Sequence, residues 1–246
     1  MRIYHTSDLH DRRGFIEPLR RFRAGEPGWL FDCGDSLRGS QTVYHRSEPI
    51  ISELDRAGYD AQAIGNREFH YLFALFAARA RQMQHPLVCS NLTDLRGREL
   101  PFVDHLRLGN PHGSIYLAGL LIMQYPQGSG WERIFGWRFL DPMAVIAQHA
   151  LRVRDDECFI VLSHLGLSLD RKLAAANPRI DLLLGGHSHD TLAQPCVVGT
   201  VPIVHAGPFG RFASLTELHK ERGRTQLDRF ELLPLLPAPG SAKALR

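Results

Sequence analysis

The stretch DLLLGGHSH, residues 181–189, sets three leucines between Asp181 and a Gly-Gly pair, then places His187 and His189 two residues apart. A short, continuously apolar run closed by glycines predicts a strand buried on both faces. In open α/β sheets, ligands bind at the carboxyl ends of such strands. Two imidazoles at that end are candidate ligands or catalytic groups, and the rest of the chain decides between these and a satisfied surface pair.

Four other apolar runs end in the same way. RIYHTSDLH (2–10) ends in Asp8 and His10, and WLFDCGD (29–35) ends in Asp35. AQAIGN (61–66) ends in Asn66, and CFIVLSH (158–164) ends in His164. Singly, a D-x-H or an H-x-H is an ordinary polar pair. Five strand ends in order could converge seven oxygen and nitrogen donors on one place. Two aspartates, one asparagine and four histidines exceed what one four- to six-coordinate ion takes. They fit two ions sharing a bridging carboxylate, ~3.5–4 Å apart, a pair that acidifies water and clamps an in-line displacement. Imidazole suits zinc, iron, nickel and copper, and carboxylate also suits manganese and magnesium.

Further strands are expected in HPLVCS, SIYLAGLLI, VPIVHAG and FASLTEL. Between them lie helical stripes. Phe69, Leu72, Phe73, Phe76, Ala77 and Ala80 form one; Phe15, Leu19 and Phe22 form another. Asp141-Pro142 reads as a helix start before Met143, Ile146 and Ala150, and Ser168 as a cap before Leu169 and Leu173. These stripes are read as core packing. The alternation holds to about residue 185 and is mainly β beyond. The expected organisation is one α/β domain over residues 1–234, with residues 235–246 as a flexible Pro-, Ala- and Gly-rich tail.

Composition excludes several classes. The chain has 246 residues with 44% hydrophobic and 22% charged, the balance of an ordinary globule. Basic residues exceed acidic ones by only 29 to 26, too little to imply a nucleic-acid groove. Cys33, Cys89, Cys158 and Cys196 contain no CxxC pair and are expected as free thiols. The opening MRIYHTSDLH does not read as a signal peptide, and no apolar stretch is long enough to span a membrane. The expected location is the cytoplasm. His5 and His205 lie in apolar runs and are expected as hydrogen-bonded interior residues. Oligomeric state is not legible.

The ordered motifs HTSDLH, DCGDSLRGS, CSNL, VLSHLG, LLLGGHSH and VHAGPFGRFASL resemble the calcineurin-like metallophosphoesterases. Within these, the chain is similar to the metal-binding domain of bacterial 5'-nucleotidases and 2',3'-cyclic-nucleotide phosphodiesterases. The resemblance runs from about residue 2 to about residue 220. It implies a four-layer α-β-β-α sandwich with two divalent ions (manganese, zinc or iron) at the strand ends. It assigns one ion to Asp8, His10, Asp35 and His189, and the second to Asp35, Asn66, His164 and His187, with Asp35 as the bridge.

Two departures qualify what the resemblance implies. Nucleotidases of this type carry a C-terminal nucleoside-binding domain, and little chain remains here after residue 220. The family also reads Gly-Asn-His-Glu-Phe-Asp where this chain reads GNREFH (65–70). Arg67 and His70 therefore stand where the family keeps a His-Asp dyad near the scissile phosphate. Arginine can grip a phosphate oxygen but does not donate a proton at neutral pH, its pKa being above ~12. His70 is a candidate replacement acid or, alternatively, a surface or capping histidine. Arg67, as a substrate-binding residue, is weighed against simple pairing with Glu68 or a neighbouring acid.

The expected function is hydrolysis of a small phosphate mono- or diester, nucleotide-like esters being among the candidates, by hydroxide generated at the two ions. The alternatives are a non-catalytic binder of metal or phosphate ligands on the same fold, and a hydrolase of a sulfur oxyanion ester.

Overall fold

The computed structural model describes residues 1–110, 113–221 and 224–237. In chain order the strands are β1 (Arg2–Thr6), β2 (Trp29–Asp32), β3 (Ala61–Ala63), β4 (Leu87–Val88), β5 (Leu92–Asp94), β6 (His105–Asn110), β7 (Gly113–Leu121), β8 (Trp137–Phe139), β9 (Glu157–His164), β10 (Leu182–Gly185), β11 (Cys196–Val198), β12 (Val201–His205), β13 (Phe212–Glu221) and β14 (Arg224–Pro234). The helices are α1 (Ile16–Gly25), α2 (Ile51–Ala57), α3 (Phe73–Ala80), α4 (Gly130–Phe135), α5 (Pro142–Ala150) and α6 (Leu167–Ala176).

Two six-stranded sheets run in the orders β14-β13-β1-β2-β3-β4 and β11-β12-β10-β9-β7-β6, and β5 pairs with β8 apart from both. β1 to β4 are mutually parallel, as are β7, β9, β10 and β12. Antiparallel strands β13, β14, β6 and β11 close the margins.

The period of two sorts side chains into layers. Ile3, Phe31 and Ala63 of the first sheet meet Ile160, Leu162 and Leu184 of the second in a core between the sheets. The opposite faces carry the other set. Tyr4, Leu30 and Leu87 pack with Leu19 of α1, Leu54 of α2 and Phe76 of α3. Phe159, Val161 and Leu183 pack with Ile146 of α5 and Leu173 of α6. The architecture is therefore the four-layer α-β-β-α sandwich expected. Cys33, Cys89 and Cys158 are buried free thiols, while Cys196 is only half-buried. His5 and His205 are interior, bonded to Ser214 Oγ at 3.1 Å and Asp170 Oδ2 at 2.8 Å.

The structure corrects three local expectations. The stripe starting at Phe69 becomes helix only at Phe73, so His70 precedes α3. The fully buried Arg79 reaches back from α3 and takes the carbonyls of Arg67 (2.5 Å), Glu68 (3.1 Å) and Phe69 (3.0 Å). Those oxygens thus gather round one guanidinium nitrogen and share its two N–H groups, in place of helical N–H groups. Ser168 lies inside α6, whose cap is Gly166; the Leu167 N–H is met by Ser188 Oγ from the GGHSH loop. Leu235, placed in the tail, is buried, and its N–H bonds the Arg211 carbonyl at 2.9 Å. Residues 238–246 of that tail lie outside the described residues. Asp141 does cap α5, accepting from Met143 and Ala144. Among the described residues no helix is long and apolar enough to cross a membrane.

Candidate metal centre

Both sheets point the carboxyl ends of their parallel strands toward one edge of the sandwich. Asp8 and His10 follow β1, Asp35 follows β2 and Asn66 follows β3, all from the first sheet. His164 ends β9, and His187 and His189 follow β10, from the second. The alternation along β9 turns Ser163 outward to Asp170 of α6 and His164 inward, where its Nδ1 meets the Cys33 carbonyl at 2.7 Å.

Backbone geometry separates these residues from the rest of the chain. Asp8, His10, Asp35, His187 and His189 have φ of 52°, 50°, 58°, 75° and 59°. Among the described residues only Asp11 and Phe209 join them as non-glycine residues with positive φ. Left-handed backbone is uncommon outside glycine and persists where surroundings enforce it. Here the loops brace one another: Asp8 N bonds Gly34 O, His10 N bonds Asp35 O, and Asp11 N bonds Ser36 O, at 2.9, 3.0 and 2.8 Å. Gly65 lets the Asp35 and Asn66 turns touch, because a Cβ there would overlap Asp35 N and Oδ1.

Two groups of ligand-type atoms result: Asp8, His10 and His189, and Asp8, Asp35 and His164. Asp8 is common to both, while Asp35, the bridge assigned by resemblance, belongs to the second group. In the first, His10 Nε2 and His189 Nε2 face each other at 2.8 Å, with Asp8 Oδ1 3.6 Å from the latter. In the second, His164 Nε2 lies 3.3 Å from Asp35 Oδ1. His187 donates its backbone N–H to both Asp8 oxygens at 3.1 Å, and its Nδ1 stands 3.4 Å from Asn66 Nδ2.

The donor set fits divalent cations. His164 is fully buried, and its Nε2 has no hydrogen-bond partner. With Nδ1–H given to the Cys33 carbonyl, the neutral ring aims an Nε2 lone pair at a carboxylate, an arrangement that calls for a shared cation. A proton supplies one: burial opposes it, but Asp35 and Asp8 overcome burial and push the His164 pKa up to about 10. A metal ion in its place satisfies the same atoms. Burial, aided by the Arg67 charge, holds His10 down at about 4; burial and His164 hold His187 at about 4, so both are neutral donors at neutral pH. Burial raises the Asp8 pKa, whereas Asp35, buried too, is lowered by His164 and by the Arg67 N–H at 2.8 Å.

Arg67 borders this centre. With Asp35, Asn66, Arg38, Ser40 and Gln41 it lines an open cleft of about 390 Å³. Its Nη1 reaches the Leu37 and Arg38 carbonyls at 3.4 and 3.2 Å, and its Nε lies 4.0 Å from Asp35 Oδ2. His70 does not join it. That ring is buried, accepts the Leu72 N–H on Nδ1 at 3.0 Å, and is not among the cleft residues. A larger groove of about 580 Å³ lies at the opposite strand ends, lined by Arg2, Trp29 and Asp60 among others. Chemistry, not volume, singles out the smaller cleft.

Sequence reasoning passed over two residues that build the site. Buried Glu68 takes backbone N–H groups from both the Asp35 and Asn66 turns, and buried Arg79 clamps the Arg67 turn to the loop at Ser40 and Val43. The legible signal for Arg79 was its place three residues after Phe76, on the buried face of α3. Glu68 is legible only as a retained position of the GNREFH motif and a candidate partner of Arg67; its hold on two backbone turns is not.

The family described as calcineurin-like phosphoesterase matches residues 1–191, and this chain belongs to it. A metallophosphoesterase of Bacillus subtilis named YunD, uncharacterized, is 30% identical over 235 residues, covering 89% of this chain and 50% of that protein. Of solved structures, a 5'-nucleotidase precursor from Thermus thermophilus superposes with a TM-score of 0.78 at 20% identity, over 96% of this chain and 54% of that one. A sulfate thiohydrolase, SoxB, of the same genus gives 0.77 at 18%, over 96% and 56%. The chain spans about half the length of the curated relatives it matches. Fold and family match thus coincide with two groups of side chains that could hold metal ions.

Proposed function

We propose that the chain hydrolyses a phosphate mono- or diester with two divalent ions at this centre. The observation that carries the reading is the convergence of Asp8, Asp35, Asn66 and four histidines from five strand ends, with His164 Nε2 buried and unpartnered beside Asp35. Asp8, His10 and His189 would hold one ion, and Asn66, His164 and His187 the other. Asp35 suits the bridge, because its charge is felt by His10 on one side and by His164 and His187 on the other. When bound, such ions acidify water and neutralise charge on the phosphoryl group.

The protein's own groups do the rest. The Asp35 turn, fixed by Glu68, sets the distance between the two halves of the centre. Arg67, at the cleft wall, grips a non-bridging oxygen and stabilises charge that grows in the transition state. It does not protonate the departing oxygen, so the substrates that suit this chain leave as stable anions, such as phenolates or phosphates. His70 is outside this reading, its Nδ1 being taken by the Leu72 N–H. Manganese, zinc and iron all suit the ligand set. The likeness to a 5'-nucleotidase puts nucleotides on the substrate panel, and the likeness to SoxB adds sulfur oxyanion esters.

The test is calorimetric titration of metal-free protein with Mn²⁺ and Zn²⁺, then turnover of aryl phosphate monoesters, diesters, nucleotides and thiosulfonates. Two bound ions and phosphate release that is lost in Asp35→Ala support the proposal. Two bound ions with no turnover on any member indicate a binding protein instead.

A further inference from the structure

Gln124 lies just beyond β7. Its Nε2 donates to the Ile122 carbonyl at 2.8 Å and to Asn66 Oδ1 at 2.9 Å, while its Oε1 accepts from Gln41 Nε2 at 2.9 Å. A main-chain carbonyl only accepts, so Ile122 fixes which end of the Gln124 amide is nitrogen. Turning the amide over would set Oε1 against the Ile122 oxygen. Held in this sense, Gln124 offers Asn66 an N–H, and Asn66 answers with its oxygen. The Asn66 nitrogen is then the end that faces His187, with Nδ2 standing 3.4 Å from Nδ1.

That orientation works against Asn66 as a ligand, because a cation takes the oxygen of an amide and not its NH₂. Rotating Asn66 to bring its oxygen toward His187 breaks the bond from Gln124 and sets two NH₂ groups together. We propose that Gln124 competes with the second metal ion for the Asn66 oxygen and so sets that ion's affinity. The inference rests on the reading of Asn66 as a ligand. Gln41 extends it to the substrate: it lines the cleft and steadies Gln124 from the far side. Occupancy of the cleft that draws Gln41 away loosens Gln124, so cleft ligand and second ion favour each other's binding.

The experiment is stepwise Mn²⁺ titration of the metal-free protein by calorimetry, with thermal melting to verify folding. Gln124→Met keeps the length and removes the donor. The second binding step should tighten roughly three- to tenfold, the worth of one hydrogen bond, with the first step unchanged. Gln124→Leu should do the same, and Gln41→Ala, in a separate loop, should tighten the same step by less. A residue that merely packs would weaken binding when replaced, so tightening is specific to competition. An unchanged or weaker second step in the Gln124 variants overturns the proposal. Should these fail to fold, an unchanged second step in Gln41→Ala overturns it. Asn66→Ala must weaken the second step tenfold or more. If it leaves both steps alone, the ligand reading fails and takes the competition with it.

Discussion

Glu68 holds Asp35 from behind. Its Oε2 accepts the Asp35 N–H at 2.7 Å and the Gly65 N–H at 2.9 Å, while Oε1 accepts from Ser36 at 2.9 Å and Leu37 at 3.3 Å. One buried carboxylate thus locks the left-handed Asp35 turn against the turn carrying Asn66. Burial, with the Asp35 charge, raises the Glu68 pKa, and four N–H donors oppose that rise. Glu68→Gln is nearly isosteric but points an NH₂ at N–H donors. It should cost about 2–3 kcal/mol in urea unfolding and weaken Mn²⁺ binding at both steps. Native values for both would show that shape alone suffices.

Arg67 sits beside the centre without belonging to it. Arg67→Ala should leave two ions bound and lower turnover on the order of 10²-fold, the usual effect of removing one electrostatic contact. Metal stoichiometry and kcat, measured on one preparation, separate the two roles. Arg67→His restores a group able to donate a proton and should improve alkyl phosphates more than aryl phosphates. Equal effects on both substrate classes would refute the missing-acid argument.

Arg79 is a fully buried arginine whose partners are carbonyls from two loops, Arg67, Glu68 and Phe69 in one, Ser40 and Val43 in the other. A planar fork serves both loops at once, and an ammonium cannot. Arg79→Lys should destabilise by about 2–4 kcal/mol in urea unfolding, through buried carbonyls left unmet. Unfolding within 0.5 kcal/mol of wild type, on the order of a neutral surface change, would show the clamp to be dispensable.

His85 and His149 make the fold acid-sensitive away from the metal centre. Burial holds both near a pKa of about 4, with Asp55 partly offsetting it for His85 and Arg152 reinforcing it for His149. In the unfolded chain they titrate near ~6.5. Between these values the unfolded state binds more protons, so stability is full above 6.5 and falls as pH drops toward 4. Each ring contributes up to about 1.4 kcal/mol per pH unit in that window. His85→Gln should flatten urea midpoint against pH by one ring's share, and an unaltered slope would place the acid sensitivity elsewhere.

Much of this protein was legible in the chain. The apolar runs named every long parallel strand, and the polar residues closing them named the groups that converge, because a strand's end is fixed by the strand itself. RIYHT and ECFIVLSH became β1 and β9 residue for residue. Short elements such as β5, β11 and α4 were not legible, since three to six residues carry too little of a period to read. Nor were Glu68 and Arg79, whose roles depend on partners up to 39 residues away.

The sequence by itself determined the alternation of strand and helix and the chemistry of the seven donors. Only the tertiary structure decided how they meet. It gave five donors a left-handed backbone, passed Asp35 to Glu68, turned Asn66 toward Gln124, and kept His70 out of the cleft. The reason is range: periodicity records which face a residue presents, whereas a buried polar atom is satisfied by whatever the folded chain brings within about 3 Å.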